Sequence, residues 1–266
     1  MVNKYISLFL SNFAISLEYR SRVVLDIIST VIGLLVFIVF WIIVYQSKDS
    51  IGGLTLSETL LYYSLAPLVG FITKVYIGDQ IGSEIRSGYL SSYIIRPARI
   101  WYTYFSISLA RKAATLLITV PIYLVIVISI VSWQHYNFFT FGGVVAGTLI
   151  AILTYLSLFV LDLIIGAIAF WVTDIWWFSH LKQLLFGIFA GMSFPFEFLP
   201  EHLQGLFNFL PFKFAYYIPI SYLQSTRDLS NLIPDIVQLL VWTVGFTLLA
   251  GFVWKKGLIK YDAYGN

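Results

Sequence analysis

The sequence contains no cysteine, which excludes three kinds of chemistry at once. Disulfides, thiolate metal sites and cysteine nucleophiles all need the thiol group that is missing here. The phosphate-binding pattern Gly-x-x-x-x-Gly-Lys-Ser/Thr is also absent, and no glycine is followed directly by lysine. The chain therefore lacks the loop that holds ATP phosphates in P-loop ATPases.

Charge is scarce as well, and this scarcity sets the class of protein. Only 11% of the residues are charged and 59% are hydrophobic, whereas soluble domains carry about 25% charge. These proportions predict an integral membrane protein. A chain of 266 residues holds about six spanning helices of roughly 20 residues with little left over, so the sequence predicts one all-α membrane domain, 1–266.

Apolar runs predict the order of the helices within this domain. Residues 3–20 place apolar side chains at helical spacing between polar ones, which is typical of a helix lying at the membrane interface. Six apolar runs of different lengths follow and are predicted to span the membrane: about 23–45, 59–77, 103–131, 142–172, 178–192 and 236–254.

The distribution of basic residues predicts the orientation. With the N-terminus inside, 13 of the 16 lysines and arginines face the cytoplasm, and the three on the outside are Lys48, Lys213 and Arg227. Such an asymmetry sets membrane topology. Both termini are therefore expected in the cytoplasm.

A polar island, residues 78–101, separates the second and third predicted spans. Its apolar residues Ile81, Ile85, Tyr89 and Tyr93 recur every four positions, with Leu90 beside them. Glu84 and Arg86 fall on other sides of such a helix, and Arg96-Pro97 is expected to end it. The pattern predicts a short cytoplasmic helix whose apolar stripe is covered by a partner protein. A helix lying flat on lipid headgroups is the alternative.

Residues 193–224, the proline-rich segment, hold half of the eight prolines: Pro195, Pro200, Pro211 and Pro219. Prolines at this density interrupt the backbone hydrogen bonding of a continuous spanning helix. The segment is therefore predicted to form two short helices that dip into the outer leaflet and return.

Three stretches together resemble the membrane subunit of ABC-2-type exporters. They are Gly82-Ser83-Glu84-Ile85-Arg86-Ser87-Gly88-Tyr89-Leu90 before Arg96-Pro97, Gly191-Met192-Ser193-Phe194-Pro195 with Leu199-Pro200 and Leu210-Pro211, and a tail from Lys255 to Gly265. The resemblance covers essentially the whole chain. The tail is similar to that of a subset of small bacterial permeases that often occur in unlike pairs. The resemblance implies that the protein lies in the bacterial cytoplasmic (inner) membrane.

The resemblance implies a transport subunit that is not itself an enzyme. ATP and magnesium are expected on separate ATP-binding cassette subunits, and a second permease, either another copy or preferably a related chain, is expected to complete a dimer. No nucleic-acid partner is expected. The implied cargo is an amphipathic or lipid-like molecule (drug, peptide or lipid), and the implied contacts to the ATPase are Ile81, Glu84, Ile85, Arg86, Gly88, Tyr89 and Leu90.

Other residues leave alternatives open. Asp162 lies within the fourth predicted span, where it either contributes a polar contact to a transport path or marks a late start of the span near the cytoplasm. His135, His180 and His202 lie on three different segments, so no shared metal site is expected. The alternative functions are a lipid-linked glycan exporter subunit, a non-transporting scaffold or immunity component, and a membrane enzyme, for which acidic and histidine clusters are lacking.

Overall fold

The computed structural model describes residues 2–18, 20–94, 99–134 and 139–261. Helices make up 84% of the structure, and the described ranges contain no strand, which confirms the all-α prediction. The Arg96-Pro97 pair, His135 and the last five residues of the tail lie outside the described residues.

Eleven α-helices lie within the described ranges. Their bounds are α1 Val2–Glu18, α2 Arg20–Val44, α3 Leu56–Thr73, α4 Ile77–Arg86, α5 Ser91–Ile94, α6 Ile100–Gln134, α7 Phe141–Ala167, α8 Trp176–Phe189, α9 Glu201–Phe209, α10 Tyr217–Leu223 and α11 Leu232–Lys260. Short 3₁₀ helices join them at Tyr45–Ser47, Ile168–Phe170, Phe196–Phe198, Pro211–Ala215 and Leu229–Asn231.

Five helical stretches in the described ranges are long and apolar enough to cross a membrane: Val23–Ser47, Leu56–Arg86, Ile100–Ser132, Phe141–Phe170 and Leu229–Lys260. The remaining predicted span, 178–192, falls on α8. That helix has 14 residues and measures about 21 Å, shorter than the roughly 30 Å hydrocarbon core. Six spans therefore stay a prediction.

Local capping chemistry fixes where α3 begins. The side-chain oxygen of Thr55 accepts from the backbone N–H of Glu58, and the Glu58 carboxylate accepts in return from the backbone N–H of Thr55 at 2.8 Å. This reciprocal pair satisfies two donors that a helix start leaves without partners. Thr140 caps α7 in a similar way through the backbone N–H of Gly143.

Helix α7 is the centre of the bundle, because it packs against α3, α4, α10 and α11. At its start, the Thr140 side chain forms a 2.9 Å hydrogen bond with Ser225, the residue that directly follows the proline-rich segment. Its last turns carry Leu163 and Ala167, which are buried with α4. The bundle thus has two ends, called here the α4 end and the proline-rich end.

The four prolines that the sequence analysis named lie just before a helix or in its first turn, with Pro219 as the third residue of α10. Pro195 and Pro200 directly precede the 3₁₀ helix Phe196–Phe198 and α9, and Pro211 is the first residue of the next 3₁₀ helix. Proline is tolerated there because the N–H that it lacks has no partner inside the helix. Two α-helices, α9 and α10, lie in the segment, and their dipping into a membrane stays a prediction.

Candidate coupling site around helix α4

Helix α4 buries one face against the bundle. Ile77, Ile81 and Ile85, spaced four residues apart, are almost completely buried against the end of α7 and the 3₁₀ helix that follows it. Burying three such side chains contributes about 1.5–3 kcal/mol each before ordering costs. The helices approach closely because Gly166 of α7 lies against Ile81, where a Cβ atom would overlap the isoleucine side chain.

The apolar stripe is for the most part covered within the chain, whereas a partner protein was expected to cover it. Ile81, Ile85 and Leu90 are only 0–4% exposed, and residues of this chain cover them. The periodicity shows that a stripe needs a covering surface, but it carries no information on which molecule supplies that surface. The coupling role of α4 itself stays a prediction and has to use other residues.

Helix α4 ends at Arg86, so the stripe does not continue through Tyr89 as one helix. Gly88 adopts φ +76°, a left-handed conformation that costs other residues about 1–2 kcal/mol. After this turn the Leu90 backbone N–H donates to the Glu84 carbonyl oxygen at 3.1 Å. Leu90 therefore returns to the core, whereas Tyr89 is 51% exposed.

Glu84 joins α4 to α6. One carboxylate oxygen accepts from the hydroxyl of the fully buried Tyr104 at 2.6 Å, and the other accepts from the Gln80 side-chain amide at 2.6 Å. Both oxygens thus have partners within the chain. Their geometry gives Glu84 a bracing role inside the bundle rather than the outward contact expected from the sequence.

Two polar contacts join α4 to α8 and to the loop before it. The Asp79 carboxylate accepts from the Ser179 hydroxyl at 2.5 Å, and Ser179 is the one α8 residue that is fully buried. At the other end of α4, an Arg86 guanidinium nitrogen donates to the Thr173 carbonyl oxygen at 2.8 Å and lies 3.4 Å from a carboxylate oxygen of Asp174. A movement of α4 therefore displaces α8 as well.

Asp162 lies in the middle of this arrangement. It is buried in α7, one carboxylate oxygen lies 2.5 Å from the ammonium nitrogen of Lys182, and the other accepts from the backbone N–H of Gly78 at 3.2 Å. The carboxylate thereby stabilises the positive N-terminal end of α4. The structure brings Asp162 to a paired site between α4, α7 and α8, which the sequence analysis did not foresee.

Two lysines hold the joint between α3 and α4, residues 74–76. The Lys182 ammonium also donates to the Val75 carbonyl oxygen at 3.0 Å. The Lys112 ammonium, from α6, donates to the carbonyl oxygens of Phe71 and Lys74 at 2.7 and 2.6 Å. These carbonyls are free because α3 ends there. In the sequence analysis both lysines counted only among the basic residues on the cytoplasmic side, and Lys112 directly follows Arg111.

The outward face of α4 comprises exposed residues on the side away from the bundle: Ser83, Arg86, Ser87 and Tyr89. It is polar apart from the Tyr89 ring, which stands edge-on to Tyr93 at a centroid distance of 5.6 Å. Of the seven residues expected to contact an ATPase, only Arg86 and Tyr89 have exposed side chains on this face. Among the described residues, no three His, Cys, Asp or Glu side chains are grouped as metal ligands.

Five long apolar helices and a docked amphipathic helix define a multi-pass membrane protein. A family model described as ABC-2 family transporter protein matches residues 31–265. The chain belongs to this family of transport permeases, which confirms the resemblance seen in the sequence. Members are membrane subunits of transporters and generally pair with ATP-binding cassette ATPases. A comparison with curated proteins returned no match.

Proposed function

We propose that this chain is the membrane subunit of an ATP-driven exporter that moves an amphipathic or lipid-like molecule across the bacterial cytoplasmic membrane. The observation that carries the proposal is the attachment of α4. This one helix is braced against α6 by Glu84, against α7 by its isoleucines and against α8 by Asp79, while its outward face stays open. A partner that pushes on that face moves three bundle helices together.

The partner is an ATPase that carries ATP and magnesium, because this chain has no P-loop. In this proposal Arg86 and Tyr89 contact the ATPase directly. Gly88 contributes by placing Tyr89 outward, and Glu84 and the buried apolar residues contribute by transmitting the movement. An exposed tyrosine beside an arginine suits such a contact, since both residue types are enriched at protein interfaces.

The proposed topology has six spans with both termini in the cytoplasm. It is supported by basic residues near the α4 end, among them Arg86, Arg99 and Lys255, whereas Lys48 and Arg227 lie toward the proline-rich end. Helix α8 is the short fifth span in this topology, and residues 190–192 extend it toward the proline-rich segment.

A second permease completes the transporter in this proposal, with a related chain preferred over a second copy. Helix α8 exposes large apolar side chains at helical spacing along one side: Trp177, Leu181, Leu184 and Ile188. They recur at intervals of four, three and four residues, a spacing that gives a continuous stripe for helix packing. The preference for an unlike pair rests on the resemblance of the tail alone.

The test is recovery of partners with the tagged protein from its native membrane in mild detergent, followed by mass spectrometry. We expect a P-loop ATPase to co-elute with the wild-type chain. Tyr89→Asp should abolish its recovery, because this change alters the outward face and leaves the contacts of Arg86 with Thr173 and Asp174 in place. Lys48→Glu, a charge change near the opposite end, should leave recovery unchanged.

Transport is tested separately by ATP hydrolysis in the assembled complex. Stimulation of hydrolysis by an amphipathic substrate, lost in the Tyr89→Asp variant, is the expected result. A folded wild-type chain that recovers no ATPase would contradict the exporter proposal. An ATPase that binds but is never stimulated would instead indicate a scaffold.

A further inference from the structure

A cavity of about 220 Å³ lies beside the α3–α4 joint and extends along α8 toward the proline-rich segment. The joint forms one wall and α8 forms another, while residues that follow α8 and precede α10 close the far end. Residues that represent these walls are Lys74, Tyr76, Lys182, Phe186, Met192 and Tyr216.

The joint carries an excess of positive charge. Three lysines surround it, namely Lys74, Lys112 and Lys182, against the carboxylate of Asp162 and that of Asp26, which acts on the joint through space. Lys112 is engaged by carbonyl oxygens and Lys182 by Asp162. The ammonium of Lys74 makes no hydrogen bond or ion pair with the part of the chain that the structure describes.

The rest of the cavity combines apolar surface with one unsatisfied polar group. Leu158, Phe186 and Met192 supply the apolar walls. The Tyr216 ring is buried, and its hydroxyl has no hydrogen-bond partner among the described residues. This hydroxyl faces Gly70 of α3 and is enclosed there, so it gives no hydrogen bond to a ligand in the cavity, and the charge that a ligand meets comes from the lysines.

We infer that this cavity binds the anionic head group of an amphiphile, and the inference rests on the proposed transport function for its biological meaning. A phosphate or carboxylate head satisfies the free ammonium of Lys74 through charge-assisted hydrogen bonds. The first carbons of the tail pack on Phe186 and Met192, and the remainder leaves beside α8, where Gln183 is exposed. A neutral or cationic head gains no charge-assisted hydrogen bond from Lys74, whose side chain is otherwise exposed to solvent.

The experiment measures binding to the full chain in phosphatidylcholine nanodiscs, with neither ATP nor an ATPase present. The probes share one tail length: decyl phosphate, decyl maltoside and decyltrimethylammonium, with inorganic phosphate as the head-group control. We expect decyl phosphate to bind wild-type protein most tightly. Lys74→Gln should weaken its binding by about tenfold or more, as loss of one charge-assisted hydrogen bond predicts.

Two variants separate the site from general effects of charge and folding. Lys48→Gln removes the same charge near the opposite end and should bind as the wild type does, and Lys74→Arg should retain most of the affinity. Equal binding of decyl maltoside, or unchanged affinity in Lys74→Gln, would overturn the inference. Inorganic phosphate that binds as tightly as decyl phosphate would overturn the assignment to an amphiphile.

Because the assay contains no ATPase, its outcome is independent of the partner-recovery experiment. If wild-type protein shows no preference for the anionic probe but recovers the ATPase normally, the head-group site is refuted and the exporter proposal stands. Normal anion binding with no ATPase recovered supports the site and removes the exporter proposal.

Discussion

The two ends of the bundle each contain one buried carboxylate paired with a cation, and the two pairs differ in what they join. Asp162 and Lys182 belong to α7 and α8, and through Gly78 the pair also reaches α4. Asp235 and Arg227 are only eight residues apart, joined by two hydrogen bonds of 2.6 and 2.8 Å. The first pair connects separate helices, whereas the second closes a local turn.

The two pairs also differ in the kinds of side chain that surround them. At the proline-rich end, hydroxyl groups of tyrosines hold the chain: Tyr62 donates to the Gly191 carbonyl oxygen at 2.6 Å and Tyr63 to that of Ser193 at 2.8 Å. Aromatic rings add to this, as in the stacked pair Phe196 and Tyr217. At the α4 end, charged side chains dominate. Hydroxyl hydrogen bonds and aromatic packing thus hold the proline-rich end, whereas ion pairs and hydrogen bonds of charged side chains hold the α4 end.

The largest effect is expected from Lys182→Met. The change leaves Asp162 buried without its cation and removes the donor to Val75, so the variant should lose about 3–5 kcal/mol of stability. The check is the midpoint of thermal unfolding in detergent, measured together with recovery of the ATPase. The double variant Asp162→Leu/Lys182→Met should be more stable than Lys182→Met. A double variant no more stable than the single one would refute a pairwise role.

Arg227→Met should have a smaller and purely local effect. Tyr222 still donates to Asp235 at 2.8 Å, and Arg227 itself is partly exposed, so the loss should be about 2–3 kcal/mol. Recovery of the ATPase should not change, because the α4 end is untouched. Loss of recovery in Arg227→Met at a temperature where the variant is folded would show that the two ends are not separable.

Glu84→Leu comes next in size. It removes the acceptor of the buried Tyr104 hydroxyl, which should reduce stability by about 1–3 kcal/mol and loosen α4 from α6. Combining it with Tyr104→Phe should restore part of this stability, because the orphaned hydroxyl is then gone. Glu84→Gln, which keeps an acceptor oxygen, serves as the control. If all three variants melt together, the contact does not brace α4.

How far the sequence predicts this fold depends on whether the signal is local. Hydropathy located the five long helices, and the spacing of Ile81 and Ile85 located α4, because both patterns reside within one element. The resemblance and the family match agree over most of the chain. The turn at Gly88 was not predicted, since a four-residue repeat that includes Tyr89 reads the same whether the helix continues or ends.

Pairings between elements were out of reach for a different reason. Lys182 counted only as a basic residue on the cytoplasmic side, and Asp162 only as a charge in a span. A single sequence gives the position of each charge but not the rotation of α7 relative to α8. The same limit applied to Glu84, whose partner Tyr104 lies on another helix. The position of α4 in the chain was therefore predictable and its contacts were not, and its role as a coupling site stays a prediction.

The smallest expected effect is a gain in stability, at Lys213 in the proline-rich end, and its size should depend on pH. Burial lowers the pKa of the Lys213 ammonium to about 8, although the charge of Asp235 acts to raise it. In the unfolded chain the pKa of Lys213 stays near 10.5. Below pH 8 the lysine is charged in both states, so folding bears the full cost of burying the charge. This cost falls as pH rises from 8 toward 10.5, because the buried lysine is then neutral. Lys213→Met should therefore stabilise the protein by about 1 kcal/mol at pH 7.

The check for Lys213→Met is the difference in melting midpoint from the wild type, followed from pH 7 to pH 10. The difference should shrink as pH rises, because the wild-type lysine then folds in its neutral form. Lys48→Met, at an exposed position, should show no such dependence. A gain that stays constant over this range would mean that packing, and not the buried charge, limits stability at the proline-rich end.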